Sequence, residues 1–496
     1  MKKVFAMLLL LAMLVGCFAA CKKDDTPGTE TSPAGNDPSG PSGSGEEEDP
    51  NYTPSVDLTA EDFGGETIRL LQCEYKQDEF YTDGTDSAET VAAEVFRRNA
   101  RVEADLNILI DYATVDNPSG LYQPLQNAVS QSVLGNDPST MYHVVANPAY
   151  YSSAMISAGL FKNIASIEDN FIDITRYYWS QDYIEESMIN NRYYFLVGEL
   201  CTSVIERTEV MFVNKQLFNN YFPDLGKTMY DIVYDREWTY ERMLEMIAVA
   251  GDGASTMTYG LALPVSSWSI DGMQAAMELD MLTMNSLGIP QVNVNTEHNS
   301  DLISAMRELY YENSSVTTTD PTGVFAGGQA IFTATLMLDS PTFYDAGISY
   351  SLIPHPMWDS TQEDYIITPH DEYTALSICS NVANTAAVTA FLEDMAYRSH
   401  STTYPAVFYE TYQLRYNENP EDAEMYDFIY EHLSFSMGAI YSFILGECKN
   451  IPRYLLYPAD RVTPNINSGI QSNLTSLADS MEIDLADFLE IFYSVG

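Results

Sequence analysis

The chain carries six histidines, His143, His298, His355, His370, His400 and His432. None stands in an HExxH pair, no GxSxG elbow occurs, and no phosphate-cradling Walker loop is present. The local signatures of zinc hydrolysis, serine hydrolysis and nucleotide binding are therefore missing. His370-Asp371-Glu372 sets three ionisable residues in a row, but neighbours in sequence seldom point at one atom, and the run reads as a polar connecting segment. With 71 Asp and Glu, a carboxylate pair at glycosidase spacing could always be drawn and would decide nothing. Cys73, Cys201, Cys379 and Cys448 are isolated, without a CxxC or a histidine at metal spacing, and read as buried thiols, with one or two disulfides left open. No catalytic residue, metal or cofactor is assigned, and the chain is not read as an enzyme.

Composition narrows the remaining chemistry. Lys and Arg number 23 against the 71 acids, a formal charge of −48. Nucleic-acid binding through a basic surface is excluded, because phosphate neutralisation needs Lys and Arg. Charge-driven docking on anionic lipid is disfavoured for the same reason. What is left is non-covalent capture by rings and hydrogen-bonding groups. Tyrosine occurs 35 times, so only position can separate a site tyrosine from a core one.

The elements that would position such groups follow from hydrophobic pattern. The 496 residues, 46% apolar and 19% charged, suffice for two cores. Thr67–Leu71, Ile108–Ile110 and His143–Ala146 read as short buried strands. Between them lie a helix capped by Asp86 and Glu89, with Val91, Val95, Val102 and Leu106 inward, and a helix marked by Leu121, Leu125, Ala128, Val129 and Val133. Strand–helix–strand–helix–strand predicts a parallel sheet with right-handed crossovers. Ligands of open parallel sheets sit beyond the strands' carboxyl ends, which singles out the segments 73–81, 111–117 and 147–151. A strand at 193–197 precedes a second unit with strands at 208–213, 259–263, 330–333, 349–354 and 374–378. Helices open at Asn214 and Trp238, and the chain is mostly helical from Ala386.

The N-terminus is a targeting segment. Lys2 and Lys3 precede an uncharged apolar run, Val4 to Gly16, too short to span a membrane comfortably. Leu14-Val15-Gly16-Cys17 looks like a bacterial lipobox, with Cys17 the acylated residue. Cys21 is the alternative, behind the bulkier Phe18. Of the 31 residues Asp24 to Pro54, 15 are Pro, Gly or Ser and none is basic, the composition of an extended solvated tether.

Several segments, in this order, carry a family likeness: Val145-Ala146-Asn147-Pro148-Ala149-Tyr150-Tyr151, Asn191-Arg192-Tyr193-Tyr194-Phe195, Val213-Asn214-Lys215-Gln216-Leu217-Phe218, Glu237-Trp238-Thr239, Gly327-Gly328-Gln329-Ala330-Ile331-Phe332 and Tyr350-Ser351-Leu352-Ile353-Pro354-His355-Pro356. Together with the lipobox and tether, they resemble the extracellular solute-binding lipoproteins of ABC sugar importers, the group related to maltose-binding protein, over roughly residues 66 to 400. The resemblance implies an α/β, two-lobed periplasmic-binding-protein-like fold whose parallel-sheet lobes are joined by a multi-strand hinge. It divides the chain into a signal peptide (1–16), lipid anchor and linker (17–55), lobe one (56–204 plus 373–435) and lobe two (205–372 plus 436–496). It further implies a monomer on the outer face of the cell membrane, with a sugar ligand and ABC permease subunits as partners. A polyamine or peptide ligand in the same fold is the alternative, and a surface enzyme or adhesin a third reading.

Sugars offer apolar C–H faces to aromatic rings and hydroxyls to carboxylates, amides and Arg. Asn147, Tyr150 and Tyr151 are expected in the site as the family's aromatic loop, and Trp268 as its stacking aromatic. Glu79 and Tyr81 lie beyond the first strand, Glu206 and Arg207 at the first interlobe crossing. Thr335 follows a strand of lobe two, and Tyr373 lies on the crossing back. Trp179 and Trp238 are expected to pack, and Trp358 to sit on an exposed turn. The anchor itself is directly testable: peptide mapping and intact mass of the membrane-extracted protein should find acyl chains on Cys17 or Cys21 at a new N-terminus, and an unmodified N-terminus elsewhere would remove it.

Overall fold

The computed structural model describes residues 50–84, 90–116, 123–135, 137, 140–416, 419–456 and 469–494. Among the described residues eleven strands are formed: β1 (Glu66–Cys73), β2 (Ile108–Val115), β3 (Val144–Pro148), β4 (Glu209–Asn214), β5 (Tyr259–Ala262), β6 (Leu282–Met284), β7 (Pro290–Val292), β8 (Val316–Thr317), β9 (Ala330–Leu336), β10 (Tyr350–Ile353) and β11 (Thr374–Ile378). They build two larger sheets, ordered β11-β3-β1-β2 and β10-β4-β9-β5-β8, and a hairpin of β6 and β7.

In the first sheet β1 pairs in parallel with both β2 and β3, as the alternation of strands and helices predicts. Leu70 to Cys73 are all buried, the polar Gln72 among them, as in a strand covered on both faces. The covering helix Thr90–Leu106 turns Val95, Val102 and Leu106 inward. Asp86, Glu89 and Leu121, expected at helix starts, lie outside the described residues. β11 joins antiparallel to β3, with Thr374 opposite Pro148, so the amino end of β11 lies at the same edge as the carboxyl end of β3. In the second sheet β4 runs antiparallel to β9, placing Glu209 opposite Leu336, and β5 runs parallel to β9. Every residue of β4 and β9 is buried. The strand expected at 193–197 is instead a buried irregular segment touching β11 through a single bridge, Leu196 to Leu376.

Three stretches connect the sheets. The first, 197–208, ends in the short helix Ser203–Glu206. The second, 354–373, runs beside it: Thr208 bridges Pro369, the Glu209 N–H donates to the Thr368 carbonyl at 3.0 Å, and that of His370 to the Arg207 carbonyl at 2.8 Å. The third follows the helix Thr385–Ser401 through a π-helix, Ala406–Arg415, to the helix Pro420–Glu431. That last helix belongs with the second sheet's surroundings, because Lys215, which follows β4, reaches Asp422 with Nζ at 2.8 and 2.9 Å from its two oxygens. The C-terminal helix Ile470–Ser494 lies against both halves. Gln471 at its start bonds Asn295, and the Phe492 carbonyl at its end accepts from Arg192 and Tyr194.

The cores hold most of the large aromatics. Trp179 and Trp238 are fully buried, as expected. Trp358 is not an exposed turn residue: it is half-buried, stacked on Tyr240 at 5.7 Å and meeting His298 edge-on. All four body cysteines are buried thiols. Packing also starts inside the stretch read as tether. Pro50–Tyr52 forms a 3₁₀ turn, and the Tyr52 ring stacks on His400 at 4.0 Å and meets Tyr177 edge-on. Tyr52, the one aromatic in the tether, supplies the apolar contact that ends it.

One buried acid reports on folding. Glu393, fully buried on the helix Thr385–Ser401, accepts from the Tyr178 hydroxyl and from Trp179 Nε1 at 2.9 Å. Burial pushes its carboxyl up to about 7, despite these donors, from the ordinary 4.5. The folded chain therefore keeps a proton that the unfolded chain releases, and the stability this group confers is fully present below the unfolded value and lost as pH rises through the folded one. The shift corresponds to about 3 kcal/mol. Glu393→Gln should flatten the fall in unfolding free energy between about pH 5 and pH 8 by an amount of that order, read by urea denaturation at each pH; an unchanged pH slope would contradict it.

Candidate ligand-binding site at the junction of the two sheets

Register sets one edge in each sheet: in the first the carboxyl ends of β1 and β3 lie with the amino end of β11, and in the second the carboxyl ends of β5 and β9 lie with the amino end of β4. The segments leaving these edges supply the expected site residues, in two groups.

The first group surrounds Glu79. The 3₁₀ helix Glu74–Glu79 follows β1 directly. Its end is clamped from below: Arg98 Nη2 donates to the Glu79 carbonyl at 3.3 Å and Asn99 Nδ2 to the Phe80 carbonyl at 2.7 Å. Arg98 is fully buried and otherwise bonds only neutral oxygens of Asn99, Ser399 and Thr403; burial lowers its pKa to about 10. The Glu79 carboxylate accepts from the Ser203 N–H at 2.9 Å, the Ser203 hydroxyl at 2.8 Å and the Thr374 hydroxyl. It thereby ties β1 to the first crossing and to β11. Burial, with the charge of Glu79 beside it, lifts Glu206 to about 7. Arg207 pairs with Glu372 at 3.3 Å, and its buried Nε meets no hydrogen-bond partner among the described residues. Lys76 Nζ is likewise buried without one, and burial lowers its pKa against the pull of Glu79. Thr335 donates to Asp339, whose carboxyl burial raises against the charge of Arg207.

The second group gathers on a cavity of ≈ 70 Å³ lined by Tyr150, Tyr373, Glu209, Asp271, Gln274 and Lys449, among others. Lys449 comes from the C-terminal segment, beyond the region of family likeness. Its ammonium bonds Asp271 Oδ2 at 3.0 Å and Asp371 Oδ2, and lies 5.4 Å from the centre of the Tyr150 ring. Burial opposes its charge, yet the two aspartates hold its pKa above the ordinary lysine range. Next to it, Asn450 Nδ2 donates to the Tyr150 hydroxyl at 2.9 Å. Tyr150 and Tyr151 stand edge-to-face at 4.9 Å, both also edge-on to Phe443. Tyr373 packs between Tyr183 and Phe435. Glu209 is fully buried, and its Oε2 takes the Gly272 N–H. A Cβ on Gly272 would lie 2.5 Å from that oxygen and 2.8 Å from His355 Nε2, so only glycine lets the helix Ser267–Ala276 approach β4 this closely.

Six of the ten expected residues thus converge with Lys76 and Lys449: Glu79, Glu206, Arg207 and Thr335 in the first group, Tyr150 and Tyr373 in the second. Tyr151 is buried beside Tyr150. Asn147 lies within β3, and its buried Oδ1 meets no partner among the described residues. It is fully buried, and its Nδ2 lies 3.3–3.4 Å from the Val145 and Ala375 carbonyls and the Ser377 hydroxyl; inside the strand, alternation turns it into the sheet's packing rather than toward the edge. Tyr81 is exposed and leans on Tyr112 at 5.1 Å. Trp268 falls in the first turn of the helix Ser267–Ala276, and its side chain lies outside the described residues. Sequence reasoning passed over Lys76, though it lies in the flagged segment 73–81, and over Glu209, Asp271, Gln274 and Lys449, which only the fold assembles. Among the described residues no group of His, Cys, Asp and Glu is arranged to hold a metal ion.

This architecture is the two-lobed α/β fold of substrate-binding proteins. Three solved structures show the likeness. An ABC substrate-binding protein from Listeria monocytogenes, in complex with cycloalternan, matches with a TM-score of 0.52 at 11% identity, over 85% of this chain and 99% of that one. A cyclo/maltodextrin-binding protein complexed with maltotetraose matches with 0.54 at 11%, over 85% and 97%. The galacto-N-biose/lacto-N-biose I-binding protein of the ABC transporter from Bifidobacterium longum, in complex with lacto-N-biose, matches with 0.54 at 13%, over 86% and 98%. No protein-family model matches the sequence, and no curated protein sequence does.

The buried ion cluster makes a mutational prediction. Lys449→Met leaves Asp271 and Asp371 without their shared cation, and breaking a buried pair costs about 3–5 kcal/mol. Urea unfolding should show a loss of that order, and the double variant Lys449→Met/Asp371→Asn should recover part of it. A single variant as stable as wild type would show that the cluster does not hold the junction.

Proposed function

We propose that the protein is a lipid-anchored substrate-binding protein that captures a neutral oligosaccharide between its two lobes and delivers it to the permease of an ABC importer. The observation that carries this reading is the junction itself, where the paired rings of Tyr150 and Tyr151 stand among carboxylates, amides and cations drawn from both sheets. Rings suit the C–H faces of a sugar and the polar groups its hydroxyls. The solved neighbours hold sugars in complexes of the same fold, which supports binding without chemistry. Their class also supports a permease partner and an extracytoplasmic location. Among the described residues no helix is long and apolar enough to cross a membrane, so attachment would rest on the lipidated Cys17, or Cys21.

The charge balance favours a neutral ligand. Lys76, Arg207 and Lys449 stand against Glu79, Glu372, Asp271 and Asp371, and a chain of charge −48 raises the cost of bringing in an anion. The acidic surroundings keep a polyamine as the second reading. Two lobes joined by crossing segments give the hinge closure open to this architecture.

Trp268 and the Tyr150–Tyr151 pair are assigned to stacking, and Glu206, Arg207 and Thr335 to hydroxyl recognition, with Glu79 holding the edge beside them. Calorimetry against a panel of neutral tetrasaccharides and spermidine tests the reading. At least one sugar should bind, and Trp268→Ala should weaken it by about tenfold or more, since an aromatic contact is worth about 0.5–1.5 kcal/mol beyond area burial and 1.4 kcal/mol is one decade. Unchanged affinity would remove Trp268 from the site, and binding of spermidine but no sugar would overturn the ligand class.

A further inference from the structure

The cavity under Tyr150 and Tyr373 carries hydrogen-bonding atoms that no protein group answers. Glu209 Oε1, Asp271 Oδ1 and Gln274 Nε2 are buried on its wall without a partner among the described residues. Glu209 is 0% and Gln274 5% exposed. The second oxygen of each acid is already engaged, Glu209 Oε2 by the Gly272 N–H and Asp271 Oδ2 by Lys449. Buried polar groups are almost always paired, so three orphans on one cavity describe the complement of something that enters it.

Their chemistry defines that complement. Gln274 Nε2 can only donate, and Asp271 Oδ1, on the carboxyl group that takes the Lys449 ammonium at 3.0 Å through its other oxygen, is placed to accept. Burial and the charge of Asp271 hold the Glu209 carboxyl well above the ordinary range, so it keeps a proton and donates. Two donors and one acceptor match a hydroxyl, which has two lone pairs and one O–H. An ammonium group, with three donors and no acceptor, would leave Gln274 unanswered and crowd Lys449. A carboxylate would face Asp271. The rest of the wall includes the apolar Ala275, Leu279 and Ile440. A cavity of ≈ 70 Å³ is several times the roughly 10–15 Å³ needed to hold one water and has room for a slender hydroxyl-bearing arm.

We propose that this cavity receives the exocyclic hydroxymethyl arm of a hexose unit, so that Glu209, Asp271 and Gln274 make the protein select hexose over pentose oligosaccharides. The inference rests on the sugar-binding reading above. Calorimetry on the full body with matched pairs tests it: cellotetraose against xylotetraose, which lacks only those arms, and maltotetraose against its 6-deoxy counterpart. A site built to bond a hydroxyl rejects the analogue lacking it strongly. The hexose that binds should therefore do so about 100-fold or more tightly than its partner, and Gln274→Leu should bring the two closer together by weakening the hexose alone. Equal affinities within a pair, in the unmutated protein, would overturn the hydroxymethyl assignment while leaving sugar binding intact, as would a Gln274→Leu variant that still binds the hexose and discriminates undiminished. Heat from no oligosaccharide at all would instead fell the sugar reading, and this inference with it.

Discussion

The ammonium of Lys449, shut between Asp271 and Asp371, is the constraint on which the junction depends. A cation withdrawn from water must keep its counter-charges within bonding distance, and here each charge arrives on a different part of the chain. Asp271 rides on the helix packed against β4, Asp371 on the segment crossing back toward β11, and Lys449 on the C-terminal stretch. The face of Tyr150, beyond β3, lies over the same cation. Meeting one charge requirement therefore fixes four segments at once, and with them the two edges that supply the candidate site. The neighbouring bond from Asn450 to the Tyr150 hydroxyl fixes the ring that this cation already attracts.

Around that lock the polar groups fall into two kinds. Some are spent on architecture: Glu79 is saturated by Ser203 and Thr374, and Arg98 and Asn99 hold the carbonyls beneath it. Others are desolvated and meet no partner among the described residues, including Lys76 Nζ, Arg207 Nε, Glu209 Oε1 and Gln274 Nε2. Leaving such groups unmet costs stability, and strain of this kind concentrates where a ligand is to be received. The first kind explains why the edges hold still, the second why they are worth holding still.

How much of this was legible in the sequence depends on range. Buried strands announce themselves as short runs of small, β-branched and apolar residues, and the expected 374–378, Thr-Ala-Leu-Ser-Ile, coincides with β11, all five residues buried. Caps are local too, so Asn214 opens its helix by accepting from the Leu217 N–H as its position suggested. Residues just beyond strand ends, such as Glu79 and Tyr150, could be reached by combining the strand reading with the rule that ligands sit beyond strand carboxyl ends, whereas Glu206 and Arg207, which precede β4, were reached only through the crossing that the family resemblance implies. Asn147 lies one step short of that edge, since it still belongs to β3 and is buried there. Lys449 carried no local signal: a lysine after Cys448 looks like any surface lysine until the chain brings two aspartates from 178 and 78 positions away. Glu209 resembled an ordinary charged strand start, and its orphaned oxygen exists only because Gly272 admits a helix beside it. Trp358 was misjudged because its partner, Tyr240, lies on another element altogether.

The central claim is that two lobes close on an oligosaccharide and leave it intact. Small-angle scattering of the protein with and without a saturating tetrasaccharide, followed by mass analysis of the recovered sugar, tests it most directly. The account predicts a smaller radius of gyration in the presence of sugar and a ligand recovered unchanged. Identical scattering curves at saturation, or a sugar recovered in pieces, would contradict it.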